Sequence, residues 1–80
     1  MTKEDVFQKF HDILVSEFDI DKGLIKSDAK LYDDLELDSI DLVDILVKMK
    51  EHLAGNIEPD KFKKAVTIGD VVDILQPLAK

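Results

Sequence analysis

From Val6 to Leu14 the apolar residues return at helical spacing, and Val6, Phe7, Phe10, Ile13 and Leu14 share one face. Thr2 and Asp5 have the separation of a capping box, with Asp in place of the usual Glu, so a helix is predicted to begin directly after Thr2. Glu17 would fall inside the apolar stripe, which predicts an end near Ser16. "FDIDKGLIKSDAKLYDD" then reads as a long connection, with Phe18, Ile20, Leu24, Ile25 and Leu31 expected to pin it to the core. So long a connection in so small a protein implies a loop with its own packing or a functional edge.

A second helix is predicted from about Ser39 to about Leu53, with Gly55 as its stop. At about 100° per residue, Leu42, Ile45, Leu46, Met49 and Leu53 share one face, and Asp41, Asp44, Lys48, Glu51 and His52 form a narrow polar stripe. Ile40 and Val47 border that stripe. A helix apolar over most of its circumference should be the most buried element, yet these two residues lie beside its acids, where a partner could touch them. Pro59 suits the start of a short helix over roughly 60–65, with Phe62 pointing inward. Thr67 and Asp70 repeat the capping-box spacing, and Ile68, Val71, Val72, Leu75 and Leu78 form the stripe of a last helix ending near Pro77. Strands lack support, because "VTIGDVVDIL" fits a 3.6-residue period better than alternation. The expected fold is all-α, a four-helix bundle of three main helices and one short helix, in a single domain over residues 1–80.

Eighty residues lie near the size at which one core is only just sufficient, and a hydrophobic fraction of 45% supports a folded chain. No apolar run reaches the ~18 residues of a membrane span. Cysteine is absent, so any thiol chemistry must come from outside the chain. The start "MTKEDVFQKF" is unlike a secretory leader or a transit peptide, which makes a cytoplasmic location the expectation. Charge changes the picture more. Asp28, Asp33, Asp34, Glu36, Asp38, Asp41 and Asp44 face only Lys30 between residues 28 and 44, so this segment holds nearly all of the net charge of −7. Such a run reads either as a solvated acidic loop or as a surface for partners with basic patches, and it argues against nucleic-acid binding.

Within that segment stands one serine, Ser39, ahead of an apolar helical run. Taken alone, it reads as an N-cap. A Ser-His-Asp nucleophile is excluded for His52, which lies thirteen residues along the same helix, about 20 Å away. His11 could approach from the first helix, but no oxyanion-hole glycine motif accompanies Ser39. Asp34, Glu36 and Asp38 copy the first ligands of an EF-hand loop, yet Ser39 stands where that loop needs glycine and Ile45 where it needs glutamate, so no metal site is expected. What remains is a serine at a helix N-terminus, where the dipole and free N–H groups favour a phosphate attached to its hydroxyl.

"LDSIDLVDIL", preceded by "LYDDLE" and followed by "NIEPDKFKKAVTIGDVVDIL", resembles the acyl carrier proteins of fatty-acid and polyketide synthesis, small acidic four-helix domains with 4′-phosphopantetheine on the serine of an Asp-Ser-Leu motif. The resemblance implies that Ser39 is the modified residue, that Asp38 presents it to a phosphopantetheinyl transferase, and that Asp41 and Asp44 are acidic recognition positions. Glu36, Ile40 and Val47 would complete the docking surface for a ketosynthase and other acyl-processing enzymes with basic patches. An acyl chain could slip between the helices, against Val43, Leu46, Ile57, Phe62, Ile68 and Ile74, although the same residues could equally form an ordinary core. The protein would be a monomeric carrier rather than an enzyme, its missing thiol supplied by the pantetheine arm. Housekeeping carriers typically have a Gly-small pair before Asp-Ser, whereas this chain has Glu36-Leu37, and Lys48 and Lys50 reverse the charge farther along. "DSID" with "TIGDVVDIL" looks more like specialised carriers, such as those of aryl-polyene-type pathways. An aminoacyl carrier of the D-alanyl type and an unmodified acidic helical adaptor stay open as alternatives.

Overall fold

Three α-helices, α1 (Lys3–Phe18), α2 (Ser39–Met49) and α3 (Ile68–Leu75), make up the computed structural model, which describes residues 2–55 and 57–79. Short 3-10 turns at Lys22–Leu24, Lys50–His52, Pro59–Phe62 and Gln76–Leu78 supply most of the corners. There are no strands among the described residues, only isolated antiparallel bridges joining Lys30 to Thr67 and Leu53 to Ala79. The all-α expectation holds.

α1 packs against both other helices and buries Val6, Phe10 and Leu14, spaced four apart along its inner face. Leu42, Ile45, Leu46 and Met49 of α2 and Ile68, Val71, Val72 and Leu75 of α3 close the same core. Both boxes expected from the sequence form: Thr2 Oγ1 accepts from the Asp5 N–H while Asp5 accepts from the Thr2 N–H, and Thr67 and Asp70 do the same.

These boxes set a pH dependence. The Thr2 backbone N–H, with the Thr2 hydroxyl, holds the Asp5 carboxyl below its ordinary 3.8, and the N–H groups of Val66 and Thr67 do the same for Asp70. A carboxylate depressed by folding contributes stability that is full above its ordinary pKa and lost as pH falls through the folded value. Between about pH 5 and pH 2 the Asp5→Asn/Asp70→Asn double variant should therefore lose less thermal stability than the parent. Equal losses in a melting series would contradict this.

Several boundaries differ from the sequence reading. α1 continues to Phe18 rather than stopping near Ser16, because Glu17 stays exposed at the edge, 3.9 Å from Lys48 Nζ, while Phe18 packs on the core. Its end is made by Asp19, left-handed at φ 55°, whose N–H donates to the Leu14 carbonyl. The α-helical part of α2 stops at Met49 and tightens into the 3-10 turn before Leu53, which is extended. Gly55 is not a left-handed cap; a Cβ there would meet only the tip of the Leu78 side chain, 2.9 Å from Cδ2, which a rotation of that side chain could relieve. The expected helix over 60–65 is a 3-10 turn at Pro59–Phe62, and Phe62 and Ala65 are buried three residues apart, the repeat of that geometry. Past Leu75 the chain goes on as a 3-10 turn through Pro77, whose missing N–H ends the α-ladder. Leu24, expected inside, is 51% exposed, since the turn capped by Asp21 on the Gly23 N–H (2.8 Å) directs Ile25 inward instead.

The long first loop is tied to the start of α3 by three backbone hydrogen bonds. Leu31 N–H donates to Val66 O at 2.8 Å, Ile68 N–H to Ala29 O at 3.0 Å, and Gly69 N–H to Ser27 O at 2.8 Å. A Cβ on Gly69 would lie 3.0 Å from that same Ser27 oxygen. Gly69→Ala should thus destabilise the fold by about 1–2 kcal/mol, the crowding of backbone outweighing the ~1 kcal/mol that alanine gains in helix propensity. An unchanged or higher urea midpoint would show that the loop yields freely.

Candidate functional site

The chain reaches α2 through a tight approach. Lys30 N–H donates to Asp34 Oδ2 at 2.8 Å, and Leu37 N–H reaches back to the Leu31 carbonyl at 3.0 Å. Between them Leu35 and Leu37 both turn into the core. This return requires a left-handed residue, and Glu36 provides it at φ 57°, a conformation that costs an L-residue about 1–2 kcal/mol.

Asp38, not Ser39, caps the helix. Asp41 N–H donates to Asp38 Oδ1 at 2.8 Å and Asp38 N–H to Asp41 Oδ2 at 3.3 Å, a third capping box with Asp at both ends. Its signal, Asp-x-x-Asp, repeats the spacing of Thr2/Asp5 and Thr67/Asp70, but sequence reasoning assigned the cap to the serine. The consequence is chemical. Ser39 occupies the first helical position, exposed, and its hydroxyl makes no hydrogen bond to a described residue. The N–H groups of Ser39 and Ile40, at the first two positions, have no intrahelical acceptor, so a phosphate on Ser39 Oγ would meet free donors and the positive end of α2.

Along α2 the apolar residues Ile40, Val43 and Val47 stand 76%, 44% and 62% exposed and form a ridge starting beside Ser39. With Ser39, Asp41 and Asp44 they line an open cleft of about 440 Å³. Asp41 is half-buried and engaged in the capping box, whereas Asp44 is exposed and has no ion pair with a described residue. Beyond Val47 the edge changes sign with Lys48 and the exposed Lys50. Val43, expected between the helices, instead faces outward with the ridge, away from the face on which Leu42, Ile45, Leu46 and Met49 are buried. Leu46, Phe62 and Ile68 are buried, and Ile57 and Ile74 are half-buried against the same core. His11 is engaged on its own helix, its Nδ1 3.3 Å from Asp12 Oδ1 and its ring tilted against Phe7, while His52 lies beside Glu51.

The chain is similar to known proteins over nearly its whole length. A family model described as the phosphopantetheine attachment site matches residues 8–75. The chain belongs to the phosphopantetheine-attachment family of acyl carrier proteins. It is 36% identical to acyl carrier protein 2 of Ralstonia nicotianae, over 98% of this chain and 96% of that protein. The acyl carrier protein of Lactobacillus acidophilus is 32% identical over 95% of each chain, and that of Thermotoga maritima 29% identical over 94% of this chain and 93% of its own. As a member of this family the carrier is not itself a catalyst; its prosthetic group is 4′-phosphopantetheine, and it works with acyl-processing enzymes. Among the described residues of the carrier, no helix is long and apolar enough to cross a membrane.

Proposed function

We propose that the phosphopantetheine arm is attached to Ser39, and that the carrier shuttles acyl intermediates between enzymes of fatty-acid or specialised, aryl-polyene-type polyketide synthesis. The observation that carries the assignment is the Asp38–Asp41 capping box, which leaves the Ser39 hydroxyl exposed at the N-terminus of α2. In loading, Ser39 Oγ attacks the β-phosphorus of coenzyme A and loses its proton, and 3′,5′-ADP leaves with the electrons of the broken P–O bond. When bound, the arm supplies the thiol that this cysteine-free chain lacks, so an acyl group is held as a thioester.

Docking falls to the ridge of Ile40, Val43 and Val47 with Asp44 at its edge, Glu36 three residues before Ser39 in the chain, and Asp41 adding its charge from within the capping box. Apolar contact supplies area, and the exposed acid steers basic enzyme surfaces at rates that salt weakens, which suits repeated transient visits. Leu46, Ile57, Phe62, Ile68 and Ile74 are the inner residues that a cargo chain would displace. The bulkier Glu36-Leu37 approach and the basic end of the ridge at Lys48 and Lys50 favour a specialised synthase, because a partner built for a uniformly acidic helix would meet like charge there.

Intact mass before and after incubation with coenzyme A, Mg²⁺ and a broad-specificity phosphopantetheinyl transferase tests the reading. One added phosphopantetheine is expected. A folded, unmodified sample that gains no mass would overturn it in favour of an adaptor acting through its acidic face.

A further inference from the structure

The capping box of α3 reaches beyond its own helix. Asp70 Oδ2 accepts from the Thr67 N–H at 3.1 Å and also from the Val66 N–H at 3.0 Å, one residue outside the box. The Thr67 N–H belongs to the same planar peptide group as Val66 O, and that oxygen accepts from the Leu31 N–H at 2.8 Å. The Leu31 N–H in turn shares its peptide group with Lys30 O, which accepts from the N–H groups of Asp34 (3.0 Å) and Leu35 (3.1 Å). Two peptide groups in series therefore join a carboxylate on α3 to the turn that delivers Glu36, Leu37, Asp38 and Ser39. Each link strengthens the next, because a carboxylate drawing on an N–H polarises that peptide and makes its carbonyl a better acceptor. The flanking side chains of Ala29, Leu31, Ala65 and Ile68 are buried, which limits competition from water.

We infer that Asp70 is a remote positioning residue for loading: through these two peptide groups it holds the 34–35 turn in the arrangement that presents Ser39. This rests on the assignment of Ser39 as the attachment site. The Ser39 hydroxyl makes no hydrogen bond to a described residue, so backbone on either side fixes its place. After Ser39 that backbone is α2; before it, the turn alone serves. The turn needs an outside anchor, since Asp33, Asp34, Glu36 and Asp38 repel one another within it. With the anchor weakened, the presenting arrangement is populated less, and the apparent affinity for the transferase falls by that fraction while turnover of the bound complex stays the same.

Asp5 supplies the control. It caps α1 with the same Thr-x-x-Asp box, and there Thr2 O turns back into its own helix, accepting from the Val6 N–H at 3.1 Å. The test is steady-state loading with coenzyme A, Mg²⁺ and the broad-specificity transferase, on wild type, Asp70→Asn and Asp5→Asn, well below the melting midpoints of all three. Asp70→Asn should raise the KM for the carrier about twofold to fivefold at unchanged kcat, the scale of a charged acceptor exchanged for a neutral one. Amide exchange followed by NMR should quicken by a similar factor at Leu31 and Leu35. Asp5→Asn should change neither, and Asp70→Glu, which keeps the charge, should load like wild type. An unchanged KM in Asp70→Asn overturns the inference, and so does an equal rise in Asp5→Asn, which would assign the effect to general loss of helix stability. A raised KM with unaltered exchange at Leu31 and Leu35 also overturns it, because Asp70 would then act by direct contact with the enzyme. If the wild type is loaded while these outcomes occur, only this inference fails; if the wild type is never loaded, the Ser39 assignment fails with it.

Discussion

Ser39→Ala is expected to abolish the mass gain completely while leaving the fold intact. The two halves of that expectation have separate physical sources. Loading needs an accessible nucleophilic oxygen, and alanine removes it. Stability should hardly change, within about 0.5 kcal/mol, because the serine hydroxyl makes no hydrogen bond to a described residue, Asp38 keeps the cap, and alanine is a good helix former at an exposed position. Asp38→Ala is the contrasting variant. It removes the side-chain acceptor of the Asp41 N–H and should cost about 0.5–2 kcal/mol, the usual range for a lost N-cap. Ser16 and Ser27 are the other serines of the chain. Ser16 already donates its hydroxyl to the Asp12 carbonyl at 2.7 Å, and Ser27 sits where its carbonyl holds the start of α3. Loading of the Ser39→Ala protein would thus be a clear refutation, with peptide mapping to find the true site.

Phe10→Ala should have the largest effect on the fold. Phe10 is fully buried at the centre of α1, between Val6 and Leu14, and α1 is the helix that contacts both α2 and α3. Truncating a buried Phe costs about 3–5 kcal/mol, as lost transfer energy plus a cavity that rigid neighbours fill only partly. An 80-residue domain has only about 4–12 kcal/mol in total. The variant should therefore be partly unfolded at room temperature, or show a urea midpoint lowered by a large fraction of the wild-type value. A midpoint shift worth less than about 1 kcal/mol would mean that α1 is not central to the core.

How far these features could be read in advance depends on whether their cause is local. Capping boxes join groups three residues apart, so Thr2/Asp5 and Thr67/Asp70 were visible as spacings, and Asp38/Asp41 was present in the same form although the serine beside it drew the assignment. The inner faces of α1 and α3 were equally legible, because helical geometry alone places residues four apart on one side. Val43 and Leu24 were misplaced for the opposite reason. Each lies in an apolar stretch, and whether it is covered depends on where another element ends.

Local chemistry in the sequence thus determined three helices, the capping boxes of the first and the last, and an acidic segment around one serine. Tertiary structure decided which apolar residues face outward as a ridge, that the first loop is tied to α3 through Ser27, Ala29 and Val66, and that Glu36 turns left-handed to bring the chain to Asp38. The division has one physical origin. Capping and periodicity act between residues within a turn of one another, whereas exposure and backbone strain are set by contacts between segments far apart in the chain, which exist only once the core has closed.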